Sequence, residues 1–297
     1  MVRTDEREKY SEYAGRNQGY RHRLGGPGQG STPPRNNEFR GHFPMKHAEK
    51  SVVLSEREQQ RYHRQILLFG EEGQEQLKQA RVFVAGAGGL GSPVAMYLAV
   101  AGVGTIALAD HDSVELSNLN RQILHWDTDV GRPKTGSAVE KLRAMNPDIE
   151  IRAIDRTLND SNAETLTKGY DLIVDAMDNF PTRYLLNGAA IRHRIPFIHG
   201  AIRGFDGQVM TVIPGRTACI RCVFPSAPPA EQFPAIGVTP GIIGLIQANE
   251  AIKFLLGTGE LLENRLLIWD GLRSTLDRID IQRNPRCPDC GKMEKIP

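Results

Sequence analysis

The sequence contains no run of about eighteen consecutive apolar residues, which excludes a membrane-spanning helix. Its N-terminus has no apolar core of the signal-peptide kind, and a cytoplasmic setting is expected. Excess charge of one sign is also missing, with 37 Lys and Arg against 35 Asp and Glu. Residues 1–50 carry a net +4, which leaves the remainder at −2. A body that close to neutral gives no electrostatic case for nucleic acid. Cysteine is scarce, four in 297 residues, and without a secretion signal a disulfide framework is not expected. There is no internal repeat and no Ser/His/Asp arrangement.

Residues 1–50 are rich in Gly, Arg, Pro and polar residues, and GGPGQGSTPPRNN has too little to bury to offset the entropy of ordering it. They read as a disordered basic tail. An Arg/Gly arm that touches RNA, or a true start at Met45, are the alternatives. From residue 51 to 297 the chain reads as one α/β domain. LSEREQQRYHRQILLFG predicts a first helix, with a capping box at Ser55 and Glu58 and a stop at Gly70. RVFVAG, TIALAD, IEIRAID, YDLIVDAMD and IPFIHGA read as strands. Between them, LGSPVAMYLAVAG, VGRPKTGSAVEKLRAMNP, DSNAETLTK and PTRYLLNGAAIRHR read as helices. That alternation implies a doubly wound, mostly parallel, Rossmann-like sheet. GQVMTVIPG, RLLIWD and RSTLDRIDIQR then continue it with antiparallel strands. FPSAPPAEQFPAIGVTPG is a Pro-rich crossover, and GIIGLIQANEAIKFLLG a buried helix.

Gly86, Gly88, Gly89 and Gly91 lie in a glycine loop between the first strand and its helix. Such a loop lets backbone and a helix N-terminus approach phosphate. Asp110, ending the second strand, is placed to accept from ribose hydroxyls. These features suit NAD and ATP equally. The following loop separates the two, because it brings Asn118, Arg121 and Lys134. A triphosphate that is losing pyrophosphate needs cations aimed at it, and a dinucleotide does not. Arg61 and Arg64 in RYHRQ are further candidates. Asp178 and Asn179 in MDN fall just past the fourth strand, at the ligand-binding edge of the sheet, where the Asp178 carboxylate suits Mg²⁺. Asp175, on the strand itself, is expected to hold backbone or a neighbouring loop. Cys219, Cys222, Cys287 and Cys290 form two C-x-x-C pairs that fit one structural Cys₄ zinc site; a redox dithiol is the weaker reading. His63, His111, His125, His193 and His199 show no partner pattern and are given no catalytic role. Trp126 and Trp269 are expected to be packing residues.

RYHRQ, GAGGLGS, DHDSVELSNLNRQ, GRPK, DAMDN, CIRC with CPDC, and PGIIGLIQANEAIK together resemble, in this order, the MoeB/ThiF/HesA family. The resemblance covers about residues 54–291. It implies adenylation, by Mg-ATP, of the C-terminal Gly-Gly carboxylate of a ubiquitin-fold sulfur carrier. The glycine loop and Asp110 would hold the nucleotide. Asn118, Arg121 and Lys134 would contact phosphates, and Asp178 would hold Mg²⁺. Arg64 would reach the other subunit's site in a homodimer. Zinc at the four cysteines is implied as well. Molybdopterin synthesis is the preferred pathway, with thiamine synthesis and tRNA thiolation as alternatives. Many family members carry a crossover cysteine that takes the activated carrier. This crossover has none, so the reaction is expected to stop at the acyl-adenylate. Three rival readings remain: an NAD(P) oxidoreductase, which leaves Arg121, Lys134 and Asp178 without roles; a noncatalytic nucleotide-binding scaffold; and adenylation of a peptide or a nucleic-acid-borne carboxylate.

Overall fold

The computed structural model describes residues 52–228 and 233–294; the expected tail over 1–50 lies outside the described residues. All that follows belongs to one compact unit, Glu38–Pro297. Among the described residues no helix is long and apolar enough to cross a membrane.

The capping box forms as the sequence predicts. Glu58 N–H donates to the Ser55 hydroxyl while the Glu58 carboxylate accepts from Ser55 N–H, opening α1 (Glu56–Arg61). The chain breaks first at Tyr62, and α2 (His63–Gln79) follows. The expected stop at Gly70 forms within it: φ of 77° and ψ of 172° take the backbone out of the helix there, and a second helical stretch then runs to Gln79. Glycine takes that φ without steric cost, so it ends the first stretch where another residue would resist.

The rest alternates: β1 (Arg81–Ala85), α3 (Gly91–Ala101), β2 (Thr105–Ala109), α4 (Lys134–Met145), β3 (Glu150–Ile154), α5 (Ala163–Thr167), β4 (Leu172–Asp175), α6 (Phe180–His193) and β5 (Phe197–Arg203). Then come β6 (Asp206–Val212), α7 (Ile220–Val223), α8 (Val238–Leu256), β7 (Arg265–Asp270) and β8 (Thr275–Asp280). One eight-stranded sheet has the order β3-β2-β1-β4-β5-β6-β7-β8. The pairs from β3 through β5 are parallel and those from β5 to β8 antiparallel, as the change in sequence pattern implied. α8 begins three residues before the expected GIIG, because Pro240 sits in its first turn, where its missing N–H costs nothing.

Alternation along β1 splits the core between two faces. Val82 and Val84 pack with Leu98 of α3, Leu142 of α4 and Leu255 of α8. Phe83 and Ala85 pack with Leu186 and Ile191 of α6 and with the cysteines. β1 pairs with β2 on one side and β4 on the other, with Val82 opposite Leu172 and Ala85 opposite Asp175. The strand order reverses between β1 and β4, so the loops after them open a crevice at their carboxyl ends.

Candidate active site

That crevice is a cleft of about 600 Å³. Its floor is the turn that follows β1. Gly86 has φ of 101°, and a Cβ there would stand 2.6 Å from the Ala176 carbonyl oxygen. A Cβ on Gly91 would lie 1.8 Å from the Gly86 carbonyl, so only glycine lets α3 start this close to the loop. Gly86, Gly88 and Gly89 line the cleft; Gly91 supports it from behind.

Asp110 lines the cleft, with both carboxylate oxygens engaged by backbone. One accepts Ala87 N–H at 2.8 Å and the other accepts Asp112 N–H at 2.9 Å. Lys134 opens α4 and is nearly buried, 7% exposed at the side chain, with its ammonium 2.8 Å from Asp112. Burial works to raise the Asp112 carboxyl, but the hydrogen bond and charge of Lys134 outweigh it and hold it below the ordinary range. Arg121 also lines the cleft and donates to Ser117 O and Asn120 Oδ1. Asp178 is exposed at the cleft mouth and accepts from the Asn179 amide at 3.2 Å. Asn179 Oδ1 accepts Thr182 N–H and so caps α6. Thus one cleft collects the glycine loop, Asp110, Arg121, Lys134, Asp178 and Asn179.

The structure places three other candidates elsewhere. Asn118 is buried and turned into its own turn, accepting Glu115 N–H. Arg61 is held by Asp148 and the Met145 carbonyl. Arg64 is exposed on α2 and is not among the cleft-lining residues.

The cleft also holds residues that sequence reasoning passed over. Gln122, 5% exposed, lies against Gly88 and has a side-chain oxygen with no hydrogen-bond partner among the described residues. Arg183 reaches beneath the MDN turn and donates to Met177 O at 2.5 Å and Gly200 O at 3.3 Å. Gln122 had a signal as the last residue of the motif DHDSVELSNLNRQ, and Arg183 as a cation four positions past MDN. Asp175 holds backbone as expected, accepting Met177 N–H.

Four histidines correct the expectation of no partners: His111 lies 3.3 Å from Asp112 and His193 3.4 Å from Glu164, and two more are buried. His199 is fully buried, with Nδ1 2.7 Å from the Asp175 carboxylate and Nε2 3.1 Å from the Gln208 amide. His125 is buried under the glycine loop, with Nδ1 2.9 Å from Ser137 Oγ and Nε2 2.9 Å from Ala87 O. Trp126 is not a packing residue: it is 60% exposed, with the Lys141 ammonium 4.6 Å from its ring centre. Trp269 packs against the main core as expected.

Lys141 reaches Asp129 at 2.5 Å inside the protein. Burial works to raise Asp129 from 3.8, but Lys141 and the Trp126 N–H outweigh it and hold the group at about 2. A lowered folded value stabilises the fold above the unfolded pKa, and the stabilisation is lost as pH falls through the folded one. Asp129→Asn should therefore cost about 2 kcal/mol at neutral pH, by denaturant titration. The difference from the parent should shrink between about pH 4 and about pH 2. Equal stability at neutral pH would dismiss the pair.

The four cysteines converge although CIRC and CPDC lie on separate segments. Sγ separations are 3.9 Å for Cys219–Cys222, 3.6 Å for Cys219–Cys287 and 3.4 Å for Cys222–Cys290. A tetrahedral Zn–S₄ centre places its sulfurs about 3.8 Å apart. The donor set and spacing fit a closed metal site with no ligand position left over.

Comparison with known proteins agrees with this geometry. The chain is 46% identical over 240 residues to the SAMP-activating enzyme E1 of Haloferax volcanii, covering 78% of this chain and 88% of that one. It is 46% identical over 244 residues to the sulfur carrier protein adenylyltransferase of Thermus thermophilus, covering 78% and 90%. Among solved structures, E. coli MccB with ATP superposes with a TM-score of 0.71 at 25% identity, covering 81% of this chain and 77% of that one. The ThiF family model matches residues 62–289, from the end of α1 to the last cysteine pair, and the chain belongs to the ThiF family.

Proposed function

We propose that this protein is a nucleotidyltransferase. It joins the C-terminal Gly-Gly carboxylate of a ubiquitin-fold sulfur carrier to the α-phosphate of ATP and releases pyrophosphate. The observation that carries the reading is the meeting of a glycine loop, Arg121, Lys134 and Asp178 around one cleft. The Thermus thermophilus relative, a sulfur carrier protein adenylyltransferase, supports the substrate class. An NAD(P) oxidoreductase would have no use for these charged groups.

Little acid–base chemistry is required. The carrier carboxylate is already ionised at neutral pH, so the protein has to align it and neutralise the phosphates. Gly86, Gly88 and Gly89 cradle phosphate with backbone, and Asp110 braces that backbone while facing the ribose. Lys134, held by Asp112, stands ready to pass its charge to the leaving pyrophosphate, and Arg121 flanks it. Asn118 acts by shaping the turn that presents Arg121. The Asp178 oxygens are hard donors at the cleft mouth and suit Mg²⁺, which would offset phosphate charge. Asn179 fixes the start of α6 beside it. Zinc at the cysteines would clip two segments together.

Arg64, exposed beside the exposed Leu67 and Leu68, completes the site of a second subunit in a homodimer. With no crossover cysteine, sulfur comes from a separate donor or from sulfide. Molybdopterin synthesis is the preferred pathway, with thiamine synthesis and tRNA thiolation as alternatives. A thiolate-rich zinc site suits a reducing compartment, and we place the protein in the cytoplasm.

Mg²⁺-dependent ATP–pyrophosphate exchange tests the reaction. Exchange should need a carrier ending in Gly-Gly and vanish when those glycines are deleted. ATP binding without exchange for any carrier would leave the scaffold or a different acyl substrate.

A further inference from the structure

The residue between Gly86 and Gly88 is fixed at both of its backbone polar groups. Ala87 N–H donates to Asp110 at 2.8 Å, and Ala87 C=O faces His125 Nε2 at 2.9 Å. A carbonyl only accepts, so the contact requires the proton to sit on Nε2. The other ring nitrogen, Nδ1, lies 2.9 Å from Ser137 Oγ. That oxygen in turn takes a hydrogen bond from Lys141 Nζ at 2.9 Å. An ammonium only donates, so the Ser137 hydroxyl proton goes to Nδ1 or to the Asp129 carboxylate, which also takes a hydrogen bond from Ser137. With that proton on Nδ1, every donor runs one way, from Lys141 through Ser137 and His125 to the Ala87 carbonyl. Asp129 balances the charge at its origin, at 2.5 Å from Lys141. The polar residues of this chain, Asp129, Lys141, Ser137 and His125, are all buried, none more than 5% exposed.

We propose that His125 is a positioning residue: held by Ser137 and Lys141 as the neutral Nε2–H tautomer, it clamps the glycine loop in its phosphate-binding shape. The nucleotide half of this inference rests on the proposed adenylation; the clamp itself does not. Several groups face the ring. Lys134 and Lys141 of α4 and the Asp129 turn are charged, while the loop presents only backbone. Burial first, then the two lysine charges, hold the imidazole below its ordinary range against the opposing effects of Ala87 O and Asp129. A second ring proton would turn the Ser137 hydroxyl from Nδ1 to the Asp129 carboxylate. The clamp is also tied to the cleft wall, because α4 carries both Ser137 and Lys134.

The test begins with the full chain, free of nucleotide, labelled with ¹⁵N at histidine. Ring-nitrogen spectra at neutral pH should show His125 protonated at Nε2 and bare at Nδ1. His125→Phe keeps a ring but offers Ala87 O no donor. It should raise amide exchange over residues 86–89 by about tenfold and weaken ATP binding by a similar factor. His125→Gln keeps a side-chain N–H and should restore both to within about twofold. Ser137→Ala should keep the Nε2–H tautomer, which Ala87 O still selects, with smaller protection of residues 86–89 than in the parent. A wild-type ring protonated at Nδ1 overturns the proposal even if no variant folds. So does a folded His125→Phe with unchanged loop exchange, or a His125→Gln as impaired as His125→Phe. If the wild type binds no ATP while the ring and exchange results hold, the nucleotide reading fails and the clamp stands.

Discussion

Asp178→Asn is expected to reduce carrier-dependent pyrophosphate exchange by about two to three orders of magnitude, at an unchanged melting temperature. The two halves of that expectation have separate causes. Asp178 is exposed and its one hydrogen bond among the described residues comes from the adjacent Asn179 amide, so the fold loses almost nothing with the charge. The function loses the hard anionic oxygen proposed to hold Mg²⁺ beside the phosphates. An amide oxygen is neutral and a poorer ligand for that ion. Asp175→Asn, three positions earlier, should behave differently. Asp175 is fully buried and serves His199, Arg183 and Met177 N–H, so its loss should appear in stability as well as in rate. Exchange by Asp178→Asn at parental rate would remove the residue from the mechanism. A large fall in melting temperature would assign it to structure instead.

Zinc removal is the second large effect. Zinc should be found at one ion per chain, and Cys222→Ser should abolish it. A structural zinc contributes its binding free energy directly to folding. Losing even about 4 kcal/mol of that would lower the melting temperature of a domain this size by roughly 10 °C. Activity should fall too, because α6 is anchored at the cysteine end. Asn187 accepts Ile220 N–H and donates to Asp289, and the Tyr184 hydroxyl donates to Phe224 O. The same helix begins at Asn179, in the cleft. Protein purified without chelators that contains no zinc, together with an unchanged melting temperature for Cys222→Ser, would dispose of the metal and return attention to the dithiols.

The sequence made the local and the periodic legible. Ser55 and Glu58 announced their cap three residues apart, and the alternating strands and helices announced the parallel sheet. Asp178, Arg121 and Lys134 could be brought together on paper because sheet topology places the loops after β1, β2 and β4 side by side. Contacts that depend on side-chain direction across distant segments were not legible. Nothing near His199 in the chain points to Asp175, and nothing near His125 points to Ala87. The Gly70 stop was legible because glycine alone takes its φ freely. The Trp126 expectation failed, because a tryptophan is read as core by default and neighbours in space decide otherwise. Asn118 shows that a motif residue can sit in the right loop and still spend its side chain on that loop's own turn.

The pairing of β1 with β4 also sets an order of assembly. A chain emerging from its N-terminus completes β1, the glycine loop and β2 long before Leu172 arrives to lie opposite Val82. Until then Gly86 has no Ala176 carbonyl against it, and the MDN turn does not exist. The half-made chain carries the glycine loop without the Ala176 segment that packs against it. Ligand can therefore stabilise only chains already past their fourth strand. A nascent or truncated product ending before that strand would show the motif intact in sequence and still fail to be rescued by nucleotide.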